Sequence, residues 1–265
     1  MPRQVSAFSN PTVKLLRSLR DKKARRAEGL FLAEGLRILT EARDSGRLPE
    51  IIAFSAEGAR HPLAAEVIAA TEAAGGDAIE TTADILSKMS GKDNPQMVIG
   101  AYRQPETSLG RIDRSKAPLW IAVQALRDPG NLGTILRTGD AVGAGGLILL
   151  DDCADPYSVE AVRASMGAIF TQDVAAAPWA EFLSWLRAGE GQLVGTSLKA
   201  SQDYLEAEYQ RPCFLLIGNE QQGLPADYEA ECDLLVKIPM AGRADSLNAA
   251  MAAAVMAFTI EASWR

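Results

Sequence analysis

Histidine is almost missing from the chain: the 265 residues hold one, His61, beside Pro62. A histidine-dependent triad or a two-histidine metal site therefore has little to build on. Cysteine is scarce as well, since Cys153, Cys213 and Cys232 stand far apart and make no C-x-x-C pair. Neither a disulfide framework nor a zinc site is expected, and the three read as reduced, buried thiols. No apolar run reaches the roughly 20 residues of a membrane-spanning helix, and Met1-Pro2-Arg3-Gln4 is not followed by the apolar segment of a signal peptide. The expectation is a cytoplasmic protein with no membrane partner. A Walker motif is absent too, and the glycines at 143–146 precede an apolar run instead of following one, so they do not form a dinucleotide fingerprint.

What is present is ordinary in amount and uneven in placement. Hydrophobic residues make up 48% and charged residues 23%, the balance of a folded globular chain with room for two modest cores. The net charge of -7 divides sharply near Pro105: residues 1–105 carry 15 Lys+Arg against 13 Asp+Glu, and residues 106–265 carry 12 against 21. Within the first part Lys14, Arg17, Arg20, Lys22, Lys23, Arg25 and Arg26 crowd together, opposed only by Asp21. Such a run is either a solvated face or the footprint of a phosphate backbone.

Periodicity predicts one basic amphipathic helix over 12–26, then alternating strands and helices to about Tyr102. Residues 1–105 form a first α/β domain on this reading, the polar, proline-containing stretch 106–117 a linker, and 118–265 a second α/β domain. The second domain opens on the buried strand Leu119–Gln124, a polar loop, a helix over 132–142 and the strand Leu147–Leu150, a βαβ unit that implies a parallel sheet. A further helix is expected over 156–170.

Three polar loops follow apolar strands, at 127–133, 218–225 and 241–248. Ligands gather at the carboxyl ends of strands in open α/β sheets, so these loops are candidates for one crevice. In the first, Asn131 sits at a helix start, as a cap or an anion contact. Arg137 either pairs with Asp140 or grips a phosphate or developing oxyanion. In the second, Gly218 permits close backbone approach, and Glu220 is a solvated carboxylate or a site residue. In the third, Ser246 occupies the expected N-cap of an alanine-rich helix, with Leu247 and Asn248 beside it.

Taken together, DPGNLGTILRTGDAVGAGGLIL, LLIGNEQQGLP and VKIPMAGRADSLNAAMAAAV resemble, in order and spacing, the three motifs of the SpoU (TrmH) branch of the SPOUT methyltransferases. The match covers 119–259, and the first hundred residues resemble, more loosely, the ribosomal-protein-like substrate-binding domain that precedes it in many members. The resemblance implies a trefoil-knotted α/β domain with a parallel sheet, S-adenosylmethionine as cofactor, methylation of a ribose 2'-hydroxyl in ribosomal or transfer RNA, and a homodimer formed through the knot. It places Thr196, Gly218, Asn219, Ile238, Met240 and Leu247 around the donor, and Asn131, Arg137, Glu220, Ser246 and Asn248 around the methyl and the ribose, with no metal. The basic cluster becomes the RNA contact. Ala249 and Ala250 depart from the Val and Ser that often follow the third motif's SLN. An RNA-binding protein without the reaction, and a base-modifying relative, are the competing readings.

Overall fold

The computed structural model describes residues 2–265, which form two compact units. The first holds the chain up to Pro105 together with Asp155–Thr171; the second holds Glu106–Ala154 and Gln172–Arg265.

In the first unit, strands β1 (Arg3–Val5), β2 (Leu30–Glu34), β3 (Ile51–Ser55), β4 (Asp77–Thr81) and β5 (Val98–Arg103) form a mixed sheet in the order β1-β4-β3-β5-β2. Helices α1 (Pro11–Ser18), α2 (Lys22–Glu28), α3 (Leu36–Asp44), α4 (Ala56–Arg60), α5 (Pro62–Ala73) and α6 (Ala83–Ser90) complete it. The basic segment is two helices, not one. Asp21 breaks it, accepting the amides of Lys23 and Ala24 as the N-cap of α2. Val13, Leu16 and Leu19 point into a core with Leu32, Ala53, Ile79 and Ile85.

The second unit is a seven-stranded sheet, parallel at every pairing, in the order β10-β12-β9-β11-β6-β7-β8. Its strands are β6 (Leu119–Gln124), β7 (Gly146–Leu150), β8 (Asp173–Ala177), β9 (Gln192–Thr196), β10 (Gln202–Asp203), β11 (Cys213–Ile217) and β12 (Leu234–Lys237). Helix α7 (Pro129–Ala141) joins β6 to β7; after β7 the chain makes α8 (Val159–Ser165), which belongs to the first unit, and α9 (Trp179–Arg187), α10 (Ala226–Glu231) and α11 (Ala249–Ala262) of the second. Gly145, just before β7, serves packing: a Cβ there would fall 2.4 Å from the Trp120 ring.

One pairing defines the topology. β12 lies between β9 and β10, with Val236 opposite both Thr196 and Gln202. The short 197–201 connection therefore runs across β12, and the last strand is threaded within an earlier loop, an exception to the usual avoidance of threaded chains.

Two expectations about domain limits need correction. Residues 106–117 are not a free linker, because Leu109 and Ile112 are buried in the second unit's core beside Trp120, Ile148 and Phe182. Residues 155–171, read as part of the second domain, pack in the first unit. Tyr157 and Phe170 lie 5.0 and 5.8 Å from the Phe31 ring, and α8 spans only 159–165 of the expected helix. An aromatic cluster with those ring separations is favourable beyond its area alone.

Candidate functional site

The ends of β9, β11 and β12 enclose a pocket of about 250 Å³. Its walls include Thr196, Gly218, Asn219, Ile238, Met240, Ser246 and Leu247, which brings together all six residues expected around a donor. Glu220 lines it too. Leu198, Lys199, Gln221 and Glu229 also contribute, and none was singled out in the sequence, where they carry no more signal than any loop residue. Gly218 is required by packing: a Cβ there would fall 2.3 Å from the carbonyl carbon of Gly223 and 2.4 Å from the Leu224 amide nitrogen. The 219–223 loop folds back on itself at that point, with Asn219 and Gly223 exchanging backbone hydrogen bonds of 3.2 and 3.0 Å.

A second cavity, about 730 Å³, shares that loop as a wall and is otherwise lined by Gln124, Ala125, Arg127, Asp128 and Asn131. It is the more polar of the two by its side chains, with Arg127 at the surface in an ion pair with Asp152.

The loops meet through a continuous hydrogen-bond chain. Asn248 caps α11, accepting from the amides of Ala250 and Met251 at 2.9 and 3.4 Å, and donates Nδ2–H to Asn131 Oδ1 at 3.0 Å. Asn131 donates its own Nδ2–H to Glu220 Oε1 at 3.2 Å. Glu220 further accepts the amides of Arg127 (3.4 Å) and Asp128 (3.3 Å) and the Asn219 side chain (3.4 Å). With four donors converging on it, this carboxylate positions its neighbours, and a solvated loop acid is excluded. Asn219 also donates to the carbonyl of Ala125 at 2.8 Å, and Ala125 has φ +47°. A left-handed alanine at a strand end is strained and persists because surrounding bonds determine it.

Several expectations change in detail. Asp128, not Asn131, is the N-cap of α7: its side chain accepts from Asn131 N at 2.6 Å, and Pro129 occupies the first turn, where its missing N–H is no loss. That frees the Asn131 side chain for Glu220 and Asn248. Ser246 likewise does not cap α11, which begins three residues later with Asn248 as its cap, and it faces the pocket instead. Arg137 lies on an exposed turn of α7 and lines neither cavity. Six residues beyond Asn131 is about 120° around the helix, so the two side chains leave α7 in different directions.

Six of the seven cations of the basic cluster lie at the surface. Lys14, Arg17, Arg20, Lys22, Lys23 and Arg26 are exposed on α1, α2 and the turn between them. Arg25 is not. It is 3% exposed, donates to the carbonyls of Leu19 and Arg20, and pairs with Asp155 at 2.6 Å. It is a structural residue and unavailable to a nucleic acid, because the helix turn that carries it faces the core.

The three cysteines are free thiols. Burial pushes Cys213 and Cys232 up to about 12. No described helix is long and apolar enough to cross a membrane.

Residues 118–258 match the SpoU rRNA Methylase family, and residues 10–100 match the MRM3-like substrate binding domain. The 23S rRNA (guanosine(2553)-2'-O)-methyltransferase RlmP of Bacillus subtilis is 30% identical over 97% of this chain and 98% of its own length. The 23S rRNA (uridine(2479)-2'-O)-methyltransferase of Streptomyces viridochromogenes is 32% identical over 90% of this chain and 84% of its own. Among solved structures, an AdoMet-bound rRNA methyltransferase from Sinorhizobium meliloti aligns with a TM-score of 0.90 and 40% identity, covering 98% of this chain and 97% of that one. With its threaded parallel sheet, its strand-end pocket and a family match over more than half its length, the chain belongs to the SpoU rRNA methylase family.

Proposed function

We propose that the protein methylates a ribose 2'-hydroxyl of ribosomal RNA, in the large-subunit RNA, with S-adenosylmethionine as donor. The observation that carries this reading is the placement of the two cavities on either side of the 219–223 loop. One is shaped by apolar side chains and strand-end backbone, the other is lined by Asn131 and Glu220, which the hydrogen bond from Asn248 ties to the third loop.

The residues of the first cavity fit the donor. Ile238, Met240 and Leu247 offer apolar faces to an adenosyl group, and the tight turn at Gly218 presents bare backbone for its polar edges. When bound, S-adenosylmethionine supplies an electrophilic methyl on a sulfonium. The protein's tasks are then alignment of the acceptor oxygen and stabilisation of alkoxide character on it. Asn131 and Asn248 are fixed by their mutual hydrogen bond and orient the ribose. Glu220 holds Asn131 and the 127–128 amides, and with its oxygens already engaged it acts as a positioning residue. Ser246 contacts substrate from the third loop. The hydroxyl proton passes to water or a substrate phosphate, since a guanidinium side chain such as that of Arg137 is a poor base.

Arg137 acts electrostatically, and from a second subunit. It lies off both cavities of its own chain, while α11, packed along α7, exposes Met251 (59%) and Phe258 (51%) on one face. Large apolar side chains in that position suit a homodimer interface in the second unit. The first unit supplies substrate binding, through the exposed cations of α1 and α2.

The test is methyl transfer from labelled S-adenosylmethionine to ribosomal RNA that lacks the modification, followed by digestion to nucleosides. Label in a 2'-O-methylnucleoside is expected. Label on a base, or no transfer together with no heat on titrating the donor, would overturn the reading.

A further inference from the structure

Glu34 ends β2 in the first unit with its side chain only 3% exposed. Oε2 pairs with Lys92 Nζ, while no protein donor among the described residues reaches Oε1. A buried carboxylate oxygen left without a donor is unfavourable by enough to need an explanation. The surroundings are cationic. The Arg20 guanidinium lies against Gly91, next to Lys92, and Arg37 is exposed on the first turn of α3. A patch that held only phosphates would gain nothing from an acid at its centre. An acid there suits a group that carries N–H donors beside a phosphate, which describes a nucleobase.

We infer that Glu34 is the reading residue of a nucleobase site in the first unit, selective for an unpaired guanine of RNA. The inference rests on RNA being the substrate. Guanine's Watson–Crick edge presents an imino N–H and an amine N–H side by side, matching the two oxygens of a carboxylate. Adenine and cytosine present one donor beside an acceptor, and uracil one donor between two carbonyls, so each sets lone pairs against the acid. Two further features serve the same nucleotide. Helix α3 opens on Gly35, at φ +98°, with no side-chain cap, which leaves its first-turn amides open to a phosphate at the end of the same strand. The side chains beside Gly35 and on Oε2 are movable. Gln96, exposed, would meet a Cβ on Gly35 at 3.2 Å, and Lys92 belongs to the same irregular 91–97 segment. Rotation of these two long side chains admits the base edge and transfers the Lys92 ammonium to the phosphate.

The test is fluorescence anisotropy on the full chain, without methyl donor, using labelled uridine nonamers that carry one central guanosine, inosine, adenosine or cytidine. Inosine keeps the imino N–H and lacks the amine. The wild-type chain is expected to bind the guanosine oligomer about tenfold more tightly than the inosine one, within the range of a good bidentate contact. Glu34→Gln is expected to reduce that preference below about twofold. The inosine comparison is made on the wild-type chain and does not depend on a variant folding. Equal affinity for guanosine and inosine, no binding to any nonamer, or a preference that survives Glu34→Gln overturns the inference. If methyl transfer to ribosomal RNA persists without a guanine preference, only the guanine site falls; if neither is seen, the functional reading falls with it.

Discussion

Two carboxylates stand near strand ends in the two units, and they are treated oppositely. Glu220, after β11, accepts four hydrogen bonds from its own chain. Glu34, ending β2, is more deeply buried and keeps one oxygen without a protein donor. A carboxylate saturated by its neighbours holds a site in shape, whereas one left open is free to recognise something else. The same contrast runs through the cations. The other cations of α1 and α2 are solvated, while Arg25 is consumed by Asp155 and two carbonyls.

The sharpest way to break this comparison is to empty the saturated site. Glu220→Ala leaves the Arg127 and Asp128 amides and the Asn131 side chain without their acceptor, and the methyl-transfer rate should fall by about 10²-fold or more, a loss typical of a misplaced site. Stability should drop by about 1–3 kcal/mol for the unpaired donors, read by thermal melting. Arg137→Ala should lower transfer by about 10²–10³-fold with the melting temperature unchanged, because that side chain is exposed on α7. If the site is shared between subunits, mixing Arg137→Ala with Asn248→Ala chains should restore part of the rate.

In the first unit the effects should separate by burial. Arg25→Ala leaves Asp155 nearly buried and unpaired, so it should destabilise by about 3–5 kcal/mol and leave the salt dependence of RNA binding as it was. Replacing exposed Lys22, Lys23 and Arg26 by Ala should do the reverse: melting unchanged, affinity lower, and the slope of log affinity against log salt reduced by roughly 0.7–0.9 for each lost phosphate contact. The smallest effect is expected at the thiols. With Cys213 and Cys232 pushed up to about 12 by burial, both stay protonated at pH 8, and alkylation of the folded chain should be far slower than that of a free thiol.

Much of the second unit was legible in the sequence because its signals are local and strong. Buried strands such as Cys213–Ile217 read as continuous apolar runs, and the three motifs sit where those strands end. The six residues expected around a donor come together in one pocket for that reason. What was not legible depends on pairings far apart in the chain. Which of Asp128, Asn131, Ser246 and Asn248 caps a helix is decided by which side chain is needed elsewhere, and Asn131 is needed by Glu220, 89 residues away. Arg25 looks like its neighbours until the helix break at Asp21 turns it inward to Asp155. Leu109 and Ile112 were too sparse to show a period, yet they fill the second core. The short edge strands β1 and β10 and the segment 155–171 carry too few residues to announce their partners.

The account turns on the three loops acting as one device through Asn248, Asn131 and Glu220. A double-mutant cycle on Asn131→Ala and Glu220→Ala, read as the single-turnover rate of methyl transfer, tests this most directly. The two losses are predicted to be strongly non-additive, with a coupling of about 1 kcal/mol or more, since either change alone already breaks the hydrogen bond between Asn131 and Glu220. Losses that add to within about 0.5 kcal/mol would show that the two residues act independently and would contradict the account.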